Sequence, residues 1–196
     1  MAQISVEHNA GGISGLHIIT PKVHGDERGY FIETYHEAEL KEAGIDTRFV
    51  QDNQSMSVRG VLRGMHYQKN YPQAKLIRVI SGSVFDAVID LRKDSDTFGR
   101  WHGIVLSAEN HRQIFVPEGF AHGFLVLSDR AEVFYKCNDF YHPDDEGGIA
   151  WNDPEIGIEW PGIENGEGLI ISEKDQKWKS LKETIGLPGQ AECETK

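Results

Sequence analysis

"KLIRVISGSVFDAVIDLR", residues 75–92, is the stretch that decides the fold. Two runs rich in Val, Ile and Phe meet at Ser81-Gly82-Ser83, which reads as two strands joined in a hairpin with glycine at the turn. Side chains alternate across a strand, so Asp86, Val88 and Asp90 share one face of the second run and Phe85, Ala87 and Ile89 the other. Acids on a strand face are either solvated or line a polar cavity, and alternation leaves both readings open. Outward from this pair, "GYFIETYH" (29–36), "WHGIVLSA" (101–108), "RQIFVPEGFAHGFLVLS" (112–128) and "AEVFYKCND" (131–139) show the same β-branched and aromatic enrichment. Gly, Asp and Ser clusters separate them, a spacing that suits an antiparallel sandwich or barrel. Two helices are expected at the periphery. "HEAELKEAG" (36–44) carries good helix formers and stops at Gly44, while "SEKDQKWKSLKETIG" (172–186) starts with Ser172 and Asp175 in a capping-box arrangement.

Composition narrows the function classes. The chain has 196 residues, 39% of them hydrophobic, enough for one globular domain with a sizeable core. Its apolar runs are short and broken by charges, far from the ~20 residues of a membrane span, and "MAQISVEHNAGG" has no signal-segment pattern. Cys137 and Cys193 lie far apart, so no disulfide framework is expected and the chain reads as cytoplasmic. A formal charge of −11 argues against nucleic acid and anionic membranes as partners. A local group of arginines and lysines could still receive an anionic small molecule.

"GVLRGMHYQ", residues 60–68, begins like a metal site. Gly60 and His66 fit the first half of the metal-cupin pattern, which continues with a second histidine two residues on, but that position is Gln68. The glutamate expected next would fall at Pro72 or Gln73. The second half is partly present as Pro117, Gly119 and His122, with Val126 where asparagine is usual. Two histidines fall short of the roughly three protein ligands of a catalytic metal site, so no metal is expected. What remains is a β-barrel frame whose histidines can move protons near neutral pH without a cofactor.

"DERGYFIE" (26–33), "QDNQS" (51–55), "VLRGMHYQ" (61–68), "LSAEN" (106–110), "VPEGFAHGFLVLS" (116–128), "YKCNDFY" (135–141) and "SEKD" (172–175) occur in an order that resembles the RmlC family of dTDP-4-dehydrorhamnose 3,5-epimerases. The similarity runs from about residue 15 to 185. It implies an all-β fold, a cupin-type jelly-roll β-barrel or sandwich with short peripheral helices. The expected organisation is one jelly-roll domain over residues 1–185 and a tail over 186–196. The implied activity inverts C3 and C5 of dTDP-4-dehydro-6-deoxy-D-glucose to give dTDP-4-dehydro-L-rhamnose. Both carbons flank the C4 ketone, so their protons can leave to form an enolate.

Roles follow from the resemblance, residue by residue. His66 is the implied base and Asp175 its orienting carboxylate, although a helix cap explains Asp175 equally well and Asp86 is a rival partner. Tyr135 is the implied acid and Lys75 the donor to the enolate oxygen; taken alone, they read as a barrel-lining aromatic and an exposed lysine. His122 is an implied sugar contact. Arg28, Phe31, Glu33, Gln51, Asn53 and Arg63 map to the nucleotide, the arginines as planar forks for the diphosphate. Tyr141 could stack on thymine, with Glu146 and Lys174 at the substrate end. The family is homodimeric, with part of the nucleotide contact set supplied by the neighbouring subunit. Met65 stands where leucine is usual, a volume-conserving swap. Epimerisation at C3 or C5 alone, and a cupin that binds a nucleotide sugar without catalysis, remain open at this stage.

Overall fold

The structure, a computed structural model, describes residues 3–163 and 166–185. The expected tail, 186–196, and Cys193 lie outside the described residues. The chain forms β1 (Ile4–His8), β2 (His17–Pro21), β3 (Val23–Asp26), β4 (Gly29–Ile32), α1 (Glu37–Glu42), β5 (Gln51–Val58), β6 (Val61–Gln68) and β7 (Lys75–Ser81). It continues with β8 (Ser83–Asp90), β9 (Trp101–Ser107), β10 (Gln113–Val116), β11 (Phe120–Val126), β12 (Arg130–Cys137), β13 (Glu146–Gly148), β14 (Ile170–Ile171) and α2 (Leu181–Ile185). One sheet has the order β1-β2-β10-β7-β12-β5; the other has β13-β6-β11-β8-β9, with β14 added parallel to β6. The two face each other as a jelly roll, the expected all-β class. The β3–β4 hairpin stands apart as its own ribbon.

One expectation about residues 75–92 is corrected. β7 and β8 do not pair: β7 lies between β10 and β12 in the first sheet, and β8 between β11 and β9 in the second. The turn at Gly82 is a corner between sheets, not a hairpin. Its glycine is required twice over, since φ is +72° and a Cβ would stand 2.1 Å from the Arg130 carbonyl oxygen.

Three apolar layers hold the molecule together. Between the sheets, Ile77, Val79, Val84, Val88, Leu106, Ile114 and Val133 form the central core. The outer face of the second sheet, with Leu62, Met65, Phe85, Ala87 and Ile89, is covered by Ile156 and Trp160 from the segment after β13. The outer face of the first, with Ile19, Leu76 and Phe115, is covered by Leu40 of α1 and Ile45. Each fully buried aliphatic side chain contributes about 1.5–3 kcal/mol. The alternation along β8 therefore holds: Phe85, Ala87 and Ile89 face the outer layer, and Val84 and Val88 the centre.

The acids on that inner face have separate fates, and neither is solvated. Asp90 accepts hydrogen bonds from Arg92 Nε (2.8 Å), Ser95 Oγ (2.6 Å) and Thr97 Oγ1 (2.6 Å), tying the loop after β8. Burial works against its ionisation, but these donors hold the carboxyl well below the usual range. Asp86 is as fully buried and bonds a cavity residue, His122.

The first expected helix is present, with His36 as N-cap and Gly44 at φ +86° after its end. The second is corrected. Residues 172–185 do not form one helix; a single 3-10 turn at Asp175–Lys177 is followed by extended Trp178 and then by α2. Asp175 does donate its backbone N–H to Ser172 Oγ (3.1 Å), but its carboxylate faces the barrel.

Candidate active site

A cavity of about 360 Å³ opens between the inner faces of the two sheets. β6 supplies Arg63, His66 and Gln68; β11 supplies His122; β7 and β12 supply Lys75 and Tyr135 from the opposite sheet; β5 supplies Gln51 and Asn53. Regular alternation would put Arg63 and His66 on opposite faces of β6, because they are three residues apart. A bulge changes this. His66 pairs with His122 and Arg63 with Phe124, so three steps on β6 match two on β11, and both side chains turn inward. Gly64 makes the bulge possible: its φ is +127°, and a Cβ there would lie 2.6 Å from the Gly123 Cα.

His66 and Asp175 form a pair. His66 Nε2 lies 2.7 Å from Asp175 Oδ1, and the carboxylate also accepts from Trp178 Nε1 (3.2 Å) and the Gly64 amide (3.3 Å). Burial pushes the Asp175 carboxyl up, but these donors, His66 first among them, hold it below the usual carboxylate range. An ionised Asp175 accepting from Nε2–H leaves Nδ1 as the unengaged ring nitrogen. Asp86, the rival partner, is bonded instead to His122 (Oδ2 to Nε2, 2.8 Å), and its Oδ1 has no hydrogen-bond partner among the described residues. The site thus holds two carboxylate–imidazole pairs, with His66 and His122 opposite each other on neighbouring strands and Asp175 reaching in from the 3-10 turn after β14.

The opposite wall is different in kind. Lys75 Nζ lies 5.9 Å from the centroid of the Tyr135 ring and has no hydrogen-bond or ion-pair partner among the described residues. Burial lowers the Lys75 ammonium, with Cys137, Asp86 and Glu146 opposing. Burial likewise raises the Tyr135 phenol, helped by Cys137 and opposed by Arg63, so the ring keeps its proton. At the mouth, Tyr141 donates its hydroxyl to Glu146 Oε2 (3.1 Å), and Lys174 Nζ bonds both Glu146 oxygens at 2.8 Å. A larger depression of about 750 Å³ shares Tyr67 and Gln68 with this cavity but gathers none of His66, Tyr135 or Lys75.

The expected nucleotide residues divide into two groups. Gln51, Asn53, Arg63 and Tyr141 line the cavity. Arg28 and Phe31 do not; they sit on the β3–β4 ribbon around a separate concavity, with Arg28 paired to Asp26 and Phe31 68% exposed. Glu33 follows directly on that ribbon. Trp178 and the Gly64 amide were not expected at the site, and no residue pattern signals either of them, because only the folded register brings them to Asp175.

Comparisons with known proteins point to one family. The family described as dTDP-4-dehydrorhamnose 3,5-epimerase matches residues 11–183. A dTDP-4-dehydrorhamnose 3,5-epimerase of Methanothermobacter thermautotrophicus is 60% identical over 171 residues, 87% of this chain and 92% of that protein. That of Escherichia coli is 47% identical over 177 residues, 89% and 94% of the two chains. Among solved structures, a dTDP-6-deoxy-D-glucose-3,5-epimerase of Legionella pneumophila in complex with dTDP-4-keto-L-rhamnose superposes with a TM-score of 0.86 at 47% identity. The alignment covers 91% of this chain and 93% of that one.

Proposed function

This chain belongs to the dTDP-4-dehydrorhamnose 3,5-epimerase family, and from that premise we propose how its residues invert C3 and C5 of dTDP-4-dehydro-6-deoxy-D-glucose. One observation carries the reading: His66 and Tyr135 project into one cavity from opposite sheets. Inversion demands that arrangement, because a proton must leave one face of the sugar and return to the other.

His66 Nδ1 takes the proton from C3, and Asp175 stabilises the resulting imidazolium through Nε2–H. The electron pair moves into the C3–C4 bond and onto the C4 oxygen, where the ammonium of Lys75 stabilises the enolate. Tyr135 then delivers its phenolic proton to C3 from the other face, and the sequence repeats at C5 once solvent has reset both groups. The chemistry needs no cofactor, since every step is a proton transfer next to a ketone. His122 contacts the sugar; Arg63, Gln51, Asn53 and Tyr141 receive the nucleotide; Glu146 and Lys174 close the substrate end.

Arg28, Phe31 and Glu33 serve the site of a second copy of the chain in a homodimer. The supporting observation is the projecting β3–β4 ribbon, whose Tyr30 and Phe31 are 61% and 68% exposed. The catalytic unit is residues 1–185, acting in the cytoplasm, with no nucleic-acid or membrane partner. Among the described residues no helix is long and apolar enough to cross a membrane.

Proton NMR of the enzyme with its substrate in D₂O tests the reading. Loss of both the C3 and C5 proton signals, abolished in His66→Ala, is expected. Exchange at one carbon would make the chain a mono-epimerase, and exchange at neither would leave a sugar-binding protein.

A further inference from the structure

Gln68 occupies the position at which the metal-cupin pattern carries its second histidine, two residues beyond His66 on the inward face of β6. It is 8% exposed, and a buried primary amide must find partners for its polar atoms. Gln68 finds three. Its Nε2 donates to the Tyr71 carbonyl (2.7 Å) and to the Phe140 carbonyl (3.3 Å), and its Oε1 accepts from the His142 amide (2.7 Å).

Two of those partners are the peptide groups on either side of one residue. The Phe140 carbonyl belongs to the peptide entering Tyr141, and the His142 N–H belongs to the peptide leaving it. One side-chain amide therefore grips both peptide planes that aim the Tyr141 ring. The third bond ties in the loop after β6, whose Tyr71 ring stacks on His142 at 4.0 Å between centroids. Asp145 clamps the same loop from below, accepting from the Asn70 and Tyr71 amides at 2.9 and 3.0 Å.

The geometry points to Gln68 as a positioning residue for substrate affinity, acting through Tyr141 at the cavity mouth and not at the reacting carbons. This rests on the reading of Tyr141 as the residue that receives the nucleobase. A donor–acceptor amide suits the task, because it must offer a proton to one carbonyl side and take one from an amide at the same time. A carboxylate in its place could only accept, and a neutral imidazole has a single N–H for two carbonyls.

The test is Gln68→Glu, which keeps the shape and the acceptor but turns both donated bonds into oxygen–oxygen contacts. KM for dTDP-4-dehydro-6-deoxyglucose should rise about tenfold, the scale of one to two lost buried hydrogen bonds, with kcat within about twofold. In a Tyr141→Ala background the same change should add less than about twofold. An undiminished penalty in that background, or a fall in kcat at unchanged KM, would overturn the proposal. Should Gln68→Glu fail to fold, Gln68→Met removes all three bonds without placing a carboxylate against two carbonyls. Calorimetric binding of dTDP to all four proteins separates the two layers of argument. A Tyr141-dependent loss of dTDP affinity without any turnover in the native chain sinks the epimerase reading and leaves the role of Gln68 standing. An intact turnover with additive losses does the reverse.

Discussion

Asp175→Asn is the most informative single change, because it removes one charge and almost no volume. The Asp175 side chain is only 4% exposed, so solvent does not screen its 2.7 Å contact with His66. Two carboxylate oxygens meet three donors: Oδ1 takes His66 and Trp178, and Oδ2 takes the Gly64 amide. Asparagine has one acceptor oxygen. With that oxygen toward His66, its NH₂ meets the Gly64 N–H donor to donor; turned the other way, it forces the wrong histidine tautomer. An unsatisfied buried donor costs about 1–3 kcal/mol, so the melting temperature should fall modestly while the fold persists. Catalysis should suffer far more. Losing the carboxylate that orients a base and stabilises its cation lowers kcat by roughly 10²–10⁴-fold. Because the folded Asp175 carboxyl sits below its ordinary value, its contribution to stability is complete above about pH 3.9 and is lost only as pH falls through the lower folded value. The variant should lack that acid-side dependence. Deuterium exchange at C3 and C5, followed by NMR alongside thermal melting, reads all of this. Exchange within threefold of native would refute the pairing, as would an Asp175→Asn penalty that persists in full when His66 is already alanine.

Two further changes probe the opposite wall. Tyr135→Phe should leave proton removal intact while inversion falls about 10²–10³-fold, so that deuterium enters at C3 with configuration retained; equal loss of exchange and inversion would contradict the acid role. Lys75→Met removes the cation beside the developing enolate, and kcat should drop by roughly 10²–10³-fold, the effect of one lost oxyanion donor. Burial lowers the Lys75 ammonium, so the native activity should decline on the alkaline side before the ordinary lysine value of about 10.4 is reached, and the methionine variant should lose that limb. Between those two values the unfolded chain binds more protons than the folded one, so native stability should rise with pH across the window. A rate profile unchanged by the substitution would place the alkaline group elsewhere.

Local chemistry was enough for much of the molecule. Strand composition marked β7 to β12 but not β2, β5 or β6, the end of α1 followed from Gly44, and the two faces of β8 followed from a period of two that any half-buried strand obeys. Only the resemblance gave Tyr135 and Lys75 their roles, since taken alone they read as a barrel-lining aromatic and an exposed lysine, and it likewise gave His66 and His122 theirs. Other features depend on which strands become neighbours. A glycine between two strands serves a hairpin and a sheet-to-sheet corner equally, and only the pairing of β7 with β12 and of β8 with β11 chose the corner at Gly82. A bulge has no signature in alternation, so the joint inward turn of Arg63 and His66 came from the mismatch between β6 and β11. Asp175 and Asp86 were indistinguishable as partners of His66 until the chain after β14 returned across β6 and left Asp86 to His122. The projection of Arg28 and Phe31 away from the cavity likewise depends on where the β3–β4 ribbon leaves the barrel. Sequence carries the periodicity and the reactive groups; long-range pairing, with more than a hundred residues between His66 and Asp175, decides which of them meet.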